Sequence, residues 1–168
     1  TLSPRQTDLG ALLQGIVDSQ SSAAAEAGTT IGWRWSGPPL RWIMVDAARL
    51  QQVVLNLVGN AIKFTRDGEV WIEARATRTS DTQADLQLSV IDTGIGIASD
   101  RQAAIFEDFV TSDTTYSRRT YGAGLGLGIT RRLLSLMGGT ISVESAPDKG
   151  SAFRVSLPVA IIRRGPPA

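Results

Sequence analysis

The sequence predicts an α/β fold, a two-layer sandwich of a mixed β-sheet with α-helices on one face. Three observations predict it. Apolar residues at helical spacing recur in three separated stretches, around 9–17, 50–61 and 129–137. Period-two alternation recurs in pairs of segments between and after them. Clusters of Gly, Pro and polar residues mark the boundaries. The expected order is helix, two strands, helix, two strands, short helix and polar loop, helix, two strands, with no internal repeat.

Thr7-Asp8 marks the first helix start, with Leu9, Leu12, Leu13, Ile16 and Val17 as its buried stripe. The Ser/Ala run that follows should let the helix fade, and Gly28 should stop it. Ile31, Trp33 and Trp35 alternate with Gly32, Arg34 and Ser36 as a half-buried strand. After the turn Ser36-Gly37-Pro38-Pro39, Arg41–Val45 is a second short strand. Trp33, Trp35 and Trp42 are expected to pack at the core or sheet edge.

Asp46 caps the central helix within Val45–Thr65. Leu50, Val53, Val54, Leu57, Val58 and Ala61 form its apolar face. Asn56, Asn60 and Lys63 form a second stripe at i, i+4, i+7. Such a stripe is either an ordinary solvated face or a place where amides and an ammonium hold a cation and its anion. Two Asn in mid-helix call for explanation, because Asn is a poor helix former.

The turn Arg66-Asp67-Gly68 leads to a strand in which Val70, Ile72, Ala74 and Ala76 share one face. Thr77–Ala84 reads as a hairpin loop, and the returning strand carries Leu86, Leu88, Val90 and Asp92 on one face. By period two, Asp92 continues the buried stripe. A buried carboxylate is costly unless it is paired or accepts specific hydrogen bonds, so Asp92 is either a turn residue before Thr93-Gly94 or a ligand-facing group. Gly94 and Gly96 in Asp92-Thr93-Gly94-Ile95-Gly96-Ile97 allow the backbone a close approach to a ligand.

A short helical piece around Ser99–Ala104 precedes Ile105-Phe106-Glu107-Asp108-Phe109. Thr111–Thr120 has no apolar period and reads as a mobile loop carrying Arg118 and Arg119. Gly122-Ala123-Gly124-Leu125-Gly126-Leu127-Gly128 then opens a helix whose buried side is expected to be Ile129, Leu133, Leu136 and Met137, ending at Gly138-Gly139. A Gly-rich turn at a helix start can present free N–H groups to phosphate, or can simply be a flexible loop. It lacks the Gly-Lys-Ser/Thr of a Walker A loop, and a polar loop rather than a strand precedes it. Ile141 and Val143, then Phe153, Val155 and Leu157, mark two closing strands joined by a turn at Pro147–Gly150. Pro158 is expected to end regular structure, which leaves residues 1–160 as one domain and 161–168 as a frayed tail or linker.

Composition narrows the function classes. At 42% hydrophobic and 20% charged residues, the 168-residue chain is of the globular class, with a sizeable core. A formal net charge of +1 gives no electrostatic case for nucleic acid. The sequence has no cysteine and no histidine, so it offers no disulfide, thiolate metal site, imidazole base or histidine phosphoacceptor. Neither a membrane span nor a signal peptide is visible, and the lack of cysteine fits the cytoplasm. The opening Thr1, not Met, points to a piece of a longer protein, which leaves membrane attachment of that parent open.

In combination these motifs are specific. Their order over Thr7–Pro158, densest from Asp46 to Phe153, closely resembles the catalytic, ATP-binding domain of sensor histidine kinases. The wider family includes DNA gyrase, a class of heat-shock chaperones and mismatch-repair ATPases. The resemblance implies the Bergerat ATP-binding fold. It implies that Asn56–Thr65 is the N box, where Asn60 with Asn56 would help hold Mg²⁺, Lys63 would contact phosphate and Phe64 would lie against the nucleotide. Asp92 matches the carboxylate that accepts a hydrogen bond from the adenine amino group. Gly94 and Gly96 would let the backbone approach the base, with Ile97 packed on it. Phe106 and Phe109 match the F box, and Thr111–Thr120 resembles the lid, from which Arg118 or Arg119 would reach the γ-phosphate. Gly122, Gly124 and Gly126 match the second Gly box, with Leu125 and Leu127 beside the phosphates. Gly150-Ser151-Ala152-Phe153 matches the last box, with Ser151 toward the adenine.

Three positions depart from the pattern: Asp108 where Pro is frequent, Ala123 where Thr is common, and Gly128 in place of a better helix former, a cost of about 1 kcal/mol. The resemblance also implies the chemistry. Phosphoryl transfer needs positioning and charge neutralisation. The nucleophile would be a His on a separate dimerisation domain of the same protein, and an Asp on a response regulator receiver domain would take the phosphoryl group next. Where the hydrolysing relatives carry a Glu that activates water, Asn56 is an amide and cannot serve as general base, which favours kinase over ATPase. The competing readings are an ATPase-driven conformational machine of the same fold and a degenerate nucleotide-sensing module. No dimer seam is visible, so the fragment is expected to be a monomer and the parent a homodimer.

Overall fold

In the computed structural model, the residues described are 2–98, 102 and 127–162. Among them are β1 (Arg5–Asp8), α1 (Leu9–Glu26), β2 (Thr30–Trp35), β3 (Trp42–Val45), α2 (Ala47–Lys63), β4 (Glu69–Arg78), β5 (Gln83–Asp92), α3 (Leu127–Leu136), β6 (Thr140–Ser145) and β7 (Ser151–Ile161). The strands form one seven-stranded sheet in the order β1-β3-β7-β5-β4-β2, with β6 paired to β7. The β2–β4 pair is parallel and the other pairs are antiparallel, so the sheet is mixed.

Strand alternation sets which face is covered. Val70, Ile72 and Ala74 of β4, Leu86, Leu88 and Val90 of β5, and Phe153, Val155 and Leu157 of β7 are buried, while their sequence neighbours are half-buried or exposed. The helices pack over that buried face, with α2 between α1 and α3. All six residues of the expected apolar face of α2 are buried, joined by Ile62. The cap of α2 is Asp46, whose carboxylate accepts from the N–H of Arg49 at 3.1 Å. The same carboxylate accepts from the N–H of Ser3 at 2.9 Å, tying the N-terminal segment to the start of the central helix. Among the described residues no helix is long and apolar enough to cross a membrane.

Several local expectations give way. Thr7-Asp8 is the end of an edge strand before it is a helix start; Asp8 closes β1 and caps α1 through Ala11 N–H. The Ser/Ala run does not fade but stays helical to Glu26, and Gly28 at φ 66° follows the end. The hairpin loop shortens, because β4 runs to Arg78 and β5 starts at Gln83. Pro158 does not end the last strand, which continues to Ile161. The reason is the edge on which its missing N–H would fall. Ile161 N–H points at β5, onto Thr82 O, so by alternation position 158 points at the opposite edge. There β6 pairing stops at Ser156 and β3 pairing begins at Ala160. Pro158 sits in the gap, where no ladder bond is asked of it.

The packed face of α3 also differs. Leu127, Thr130 and Leu134 are buried, whereas Ile129 and Leu136, expected on the buried side, are 62% and 64% exposed. Leu133 and Met137 are half-buried against the core. Apolar residues surround most of this helix, so periodicity alone does not select a side; contact with α2 does.

Candidate functional site

The register of the sheet brings one polar row together. Asp92 pairs with Val70 on one side and Ser151 on the other, and Ser151 pairs with Ser145 of β6. Asp92 is 6% exposed and lies at the end of the buried face. Burial pushes its carboxyl above the usual carboxylate range. The N–H groups of Gly94 and Ser151 and the nearby Thr65 hydroxyl work the other way, the first through a 2.8 Å bond to Oδ1. Among the described residues Asp92 has no ion-pair partner. The Thr65 hydroxyl is fully buried and makes no hydrogen bond of good geometry among the described residues.

The loop after β5 is fitted closely to the end of α2. Phe64, the C-cap of α2, accepts from Ile95 N–H at 3.2 Å through its carbonyl. A Cβ at Gly94 would meet Thr65 Oγ1 at 2.8 Å and press on the Phe64 carbonyl, so only Gly fits. Ile97 N–H donates to Ser145 Oγ at 2.8 Å. That hydroxyl donates to Gly150 O and lies 2.7 Å from Ser151 Oγ. Since one hydroxyl carries one proton, Ser151 is the donor of the Ser145–Ser151 pair. Gln102 Nε2 bonds Ile97 O and Ser145 O at 2.9 and 2.8 Å. The result is a closed clasp holding the loop after Asp92 against the β6–β7 turn.

On α2, Asn56 and Asn60 are half-buried and Lys63 is exposed at the last turn. Asn56 Nδ2 donates to Thr130 Oγ1 of α3 at 2.6 Å. Leu127 is buried at the first position of α3. Thus Asn56, Asn60, Lys63 and Phe64 lie on α2 and its C-cap, Leu127 at the start of α3, Asp92 and Ser151 at the facing ends of β5 and β7, and Gly94, Gly96 and Ile97 in the loop after β5. Phe106, Phe109, Arg118, Arg119, Gly122, Gly124, Leu125 and Gly126 lie outside the described residues. Sequence patterns missed Thr65, Gln102, Thr130 and Ser145. Each acts through a partner distant in sequence, and only Thr65, beside Phe64, carried a local signal.

The donor set suits a small hard cation only as part of a larger assembly. No group of three or more His, Cys, Asp or Glu side chains among the described residues could hold a metal. Amide oxygens are hard but neutral ligands, so phosphate oxygens would have to supply the negative charge.

A family model described as histidine kinase-, DNA gyrase B- and HSP90-like ATPase matches residues 45–161. The sensor protein GacS of Pseudomonas syringae pv. syringae is 46% identical over 112 residues, covering 67% of this chain and 12% of its own length. The chain therefore spans about an eighth of that relative. Among solved structures, full-length ShkA in complex with AMPPNP matches at a TM-score of 0.81 and 38% identity, over 96% of this chain and 32% of that one. A nucleotide-free catalytic domain of the histidine kinase ThkA matches in fold at a TM-score of 0.76 and 24% identity, over 94% and 96% of the two chains.

Proposed function

The chain belongs to the histidine kinase-, DNA gyrase B- and HSP90-like ATPase family, an ATP-binding family, and from that premise we propose that it is the catalytic domain of a sensor histidine kinase. The observation that carries the reading is Asp92, a carboxylate buried at the end of an apolar face with no cation beside it among the described residues. A buried acceptor of this kind is stabilised by a ligand that brings a donor. The adenine amino group is such a donor, and the loop of Gly94 and Gly96, closed onto Phe64 and Ala146, would bring its backbone to the base, with Ile97 and Phe64 against it. Ser151 would lie on the adenine side.

At the phosphate end, Lys63 would neutralise charge, Asn56 and Asn60 would offer amide oxygens to Mg²⁺, and Arg118 or Arg119 would reach the γ-phosphate. Gly122, Gly124 and Gly126, with Leu125 and Leu127, would enclose the phosphates. Mg²⁺, held there with the nucleotide, would offset the charge of the phosphates. The amide of Asn56 cannot take a proton from water at neutral pH, so the site suits transfer to a protein nucleophile. With no histidine in the sequence, the acceptor would be a His of a separate dimerisation domain in the parent, and a response regulator would receive the phosphoryl group from it. The parent would then be a homodimer acting in two-component signalling.

The test is titration with a fluorescent ATP analogue, with and without Mg²⁺, on wild type and Asp92→Ala. Losing a hydrogen bond to a charged acceptor is worth about 1.5–3 kcal/mol, so affinity should fall roughly 10- to 150-fold. Equal affinity of the two proteins would remove the adenine assignment. Rapid steady-state hydrolysis by the isolated chain would point to the hydrolysing branch of the family instead.

A further inference from the structure

Gln102 belongs neither to the loop directly after Asp92 nor to the β6–β7 turn, yet its half-buried side chain fastens the two together. Its Nε2 donates to Ile97 O at 2.9 Å and to Ser145 O at 2.8 Å. A carboxamide nitrogen carries two hydrogens, and a backbone carbonyl only accepts. Each hydrogen therefore has its own carbonyl, and turning the amide over would set its oxygen against two oxygens. The two partners themselves decide which end of the amide faces them.

Ile97 is held from two sides as a result. Its N–H donates to Ser145 Oγ at 2.8 Å, and its carbonyl accepts from Gln102. Just upstream the loop meets the turn again. Asp148 N–H donates to Ile95 O at 2.7 Å, and a Cβ at Gly96, where φ is 75°, would press on the Ala146 carbonyl. A loop already fixed in the shape that a ligand needs binds more tightly, because the ligand does not have to order it.

We propose that Gln102 is a positioning residue for the adenine base: its amide pins Ile97 to Ser145, so that the loop after Asp92 is shaped before nucleotide arrives. The inference rests on the reading of Asp92 and Ile97 as adenine contacts given under Proposed function. It gives a role to a side chain that touches neither base nor phosphate in that reading. A glutamate of nearly the same shape could not take its place, because a carboxylate would offer two acceptors to two acceptors.

The experiment titrates a fluorescent ATP analogue into the chain, once in EDTA and once at saturating Mg²⁺. Gln102→Met keeps the length of the side chain and loses both donors. It should weaken binding roughly 3- to 10-fold, about the worth of one net hydrogen bond, and by the same factor in both titrations. The ratio of the two affinities reads the phosphate end and should stay at its wild-type value. Gln102→Glu should lose at least as much. Amide exchange at Ile97 should quicken in the free variant and return to the wild-type rate with nucleotide bound, while exchange in the middle of β5 stays unchanged. Wild-type affinity in Gln102→Met, a changed ratio, or unchanged exchange at Ile97 overturns the proposal. So does quickened exchange throughout β5, which would mean that Gln102 serves only the stability of the fold. If Gln102→Met does not fold by circular dichroism, Gln102→Asn, which keeps the donors but draws them back by one methylene, carries the same comparison. Failure of the underlying reading looks different: wild type would bind no adenine nucleotide, or Asp92→Ala would bind it as tightly as wild type does.

Discussion

Asp92 stands directly opposite Ser151 in the β5–β7 ladder, and the pair closes the buried face of the sheet at its polar end. Burial raises the Asp92 carboxyl above its ordinary value of 3.8. The folded chain therefore holds this proton more tightly than the unfolded chain does. Its contribution to stability is full below 3.8 and is lost as pH rises through the folded value. In the absence of nucleotide, Asp92→Asn should gain stability relative to wild type as pH rises through that window. Urea denaturation of both proteins across the acid range checks it; a gap that stays constant with pH would contradict the account.

Asp46 behaves with the opposite sign. The Ser3 N–H, set against some desolvation and joined by the Arg49 N–H, holds its carboxyl below the ordinary value of 3.8. The stability it lends is present above 3.8 and is lost as pH falls through the folded value. Asp46→Ala should cost about 1–2 kcal/mol at neutral pH, the usual worth of a helix cap, and the cost should shrink in acid. Thermal melting at two pH values measures both the size and the trend.

Gly150 and Gly37 make a matched pair. Both have positive φ, 77° and 86°. A Cβ at Gly37 meets nothing within 4 Å, whereas at Gly150 it would press into the Asp92 carbonyl and lie 3.1 Å from Thr93 Cα. Alanine at Gly37 should cost only the backbone conformation, about 1–2 kcal/mol. Alanine at Gly150 should cost more and also weaken nucleotide binding, because the strand end carrying Asp92 must shift. Parallel denaturation and titration of the two variants separate these contributions.

Ser145 carries three bonds on one hydroxyl. Ser145→Ala leaves the Ile97 N–H and the Ser151 hydroxyl without that partner, at a cost of about 1–3 kcal/mol. Amide hydrogen exchange at Ile97 should quicken more than exchange in the middle of β5. Uniform quickening across the sheet would mean that the hydroxyl matters only for global stability.

Much of this layout was readable from residue pattern because it depends on local period. The face of α2 follows from six apolar residues at helical spacing, all buried. The burial of Asp92 follows from period-two alternation carried one step, two residues, past Val90. What escaped depends on the third dimension. β1 is polar, Arg-Gln-Thr-Asp, and becomes a strand only because β3 offers an edge. Thr130 appears as one polar residue among Ile129, Leu133 and Leu134, and its burial makes sense only once Asn56 lies beside it. Ser145 likewise has no meaning until β6 and β7 bring it next to Ser151.

The shared edge of β7 reverses the order of synthesis and assembly. Among the described residues β3 meets the rest of the sheet at Ala160 to Ile162, and β1 pairs with β3 alone. During translation both leave the ribosome long before the residues that anchor them. Until then they form at most a two-stranded ribbon, which is marginal in water. These two early strands are thus the last to be secured. A chain halted between Pro158 and Ala160 would already hold the Asp92–Ser151 pairing partners while β3 still showed an open edge, a template for mispairing with a neighbouring chain.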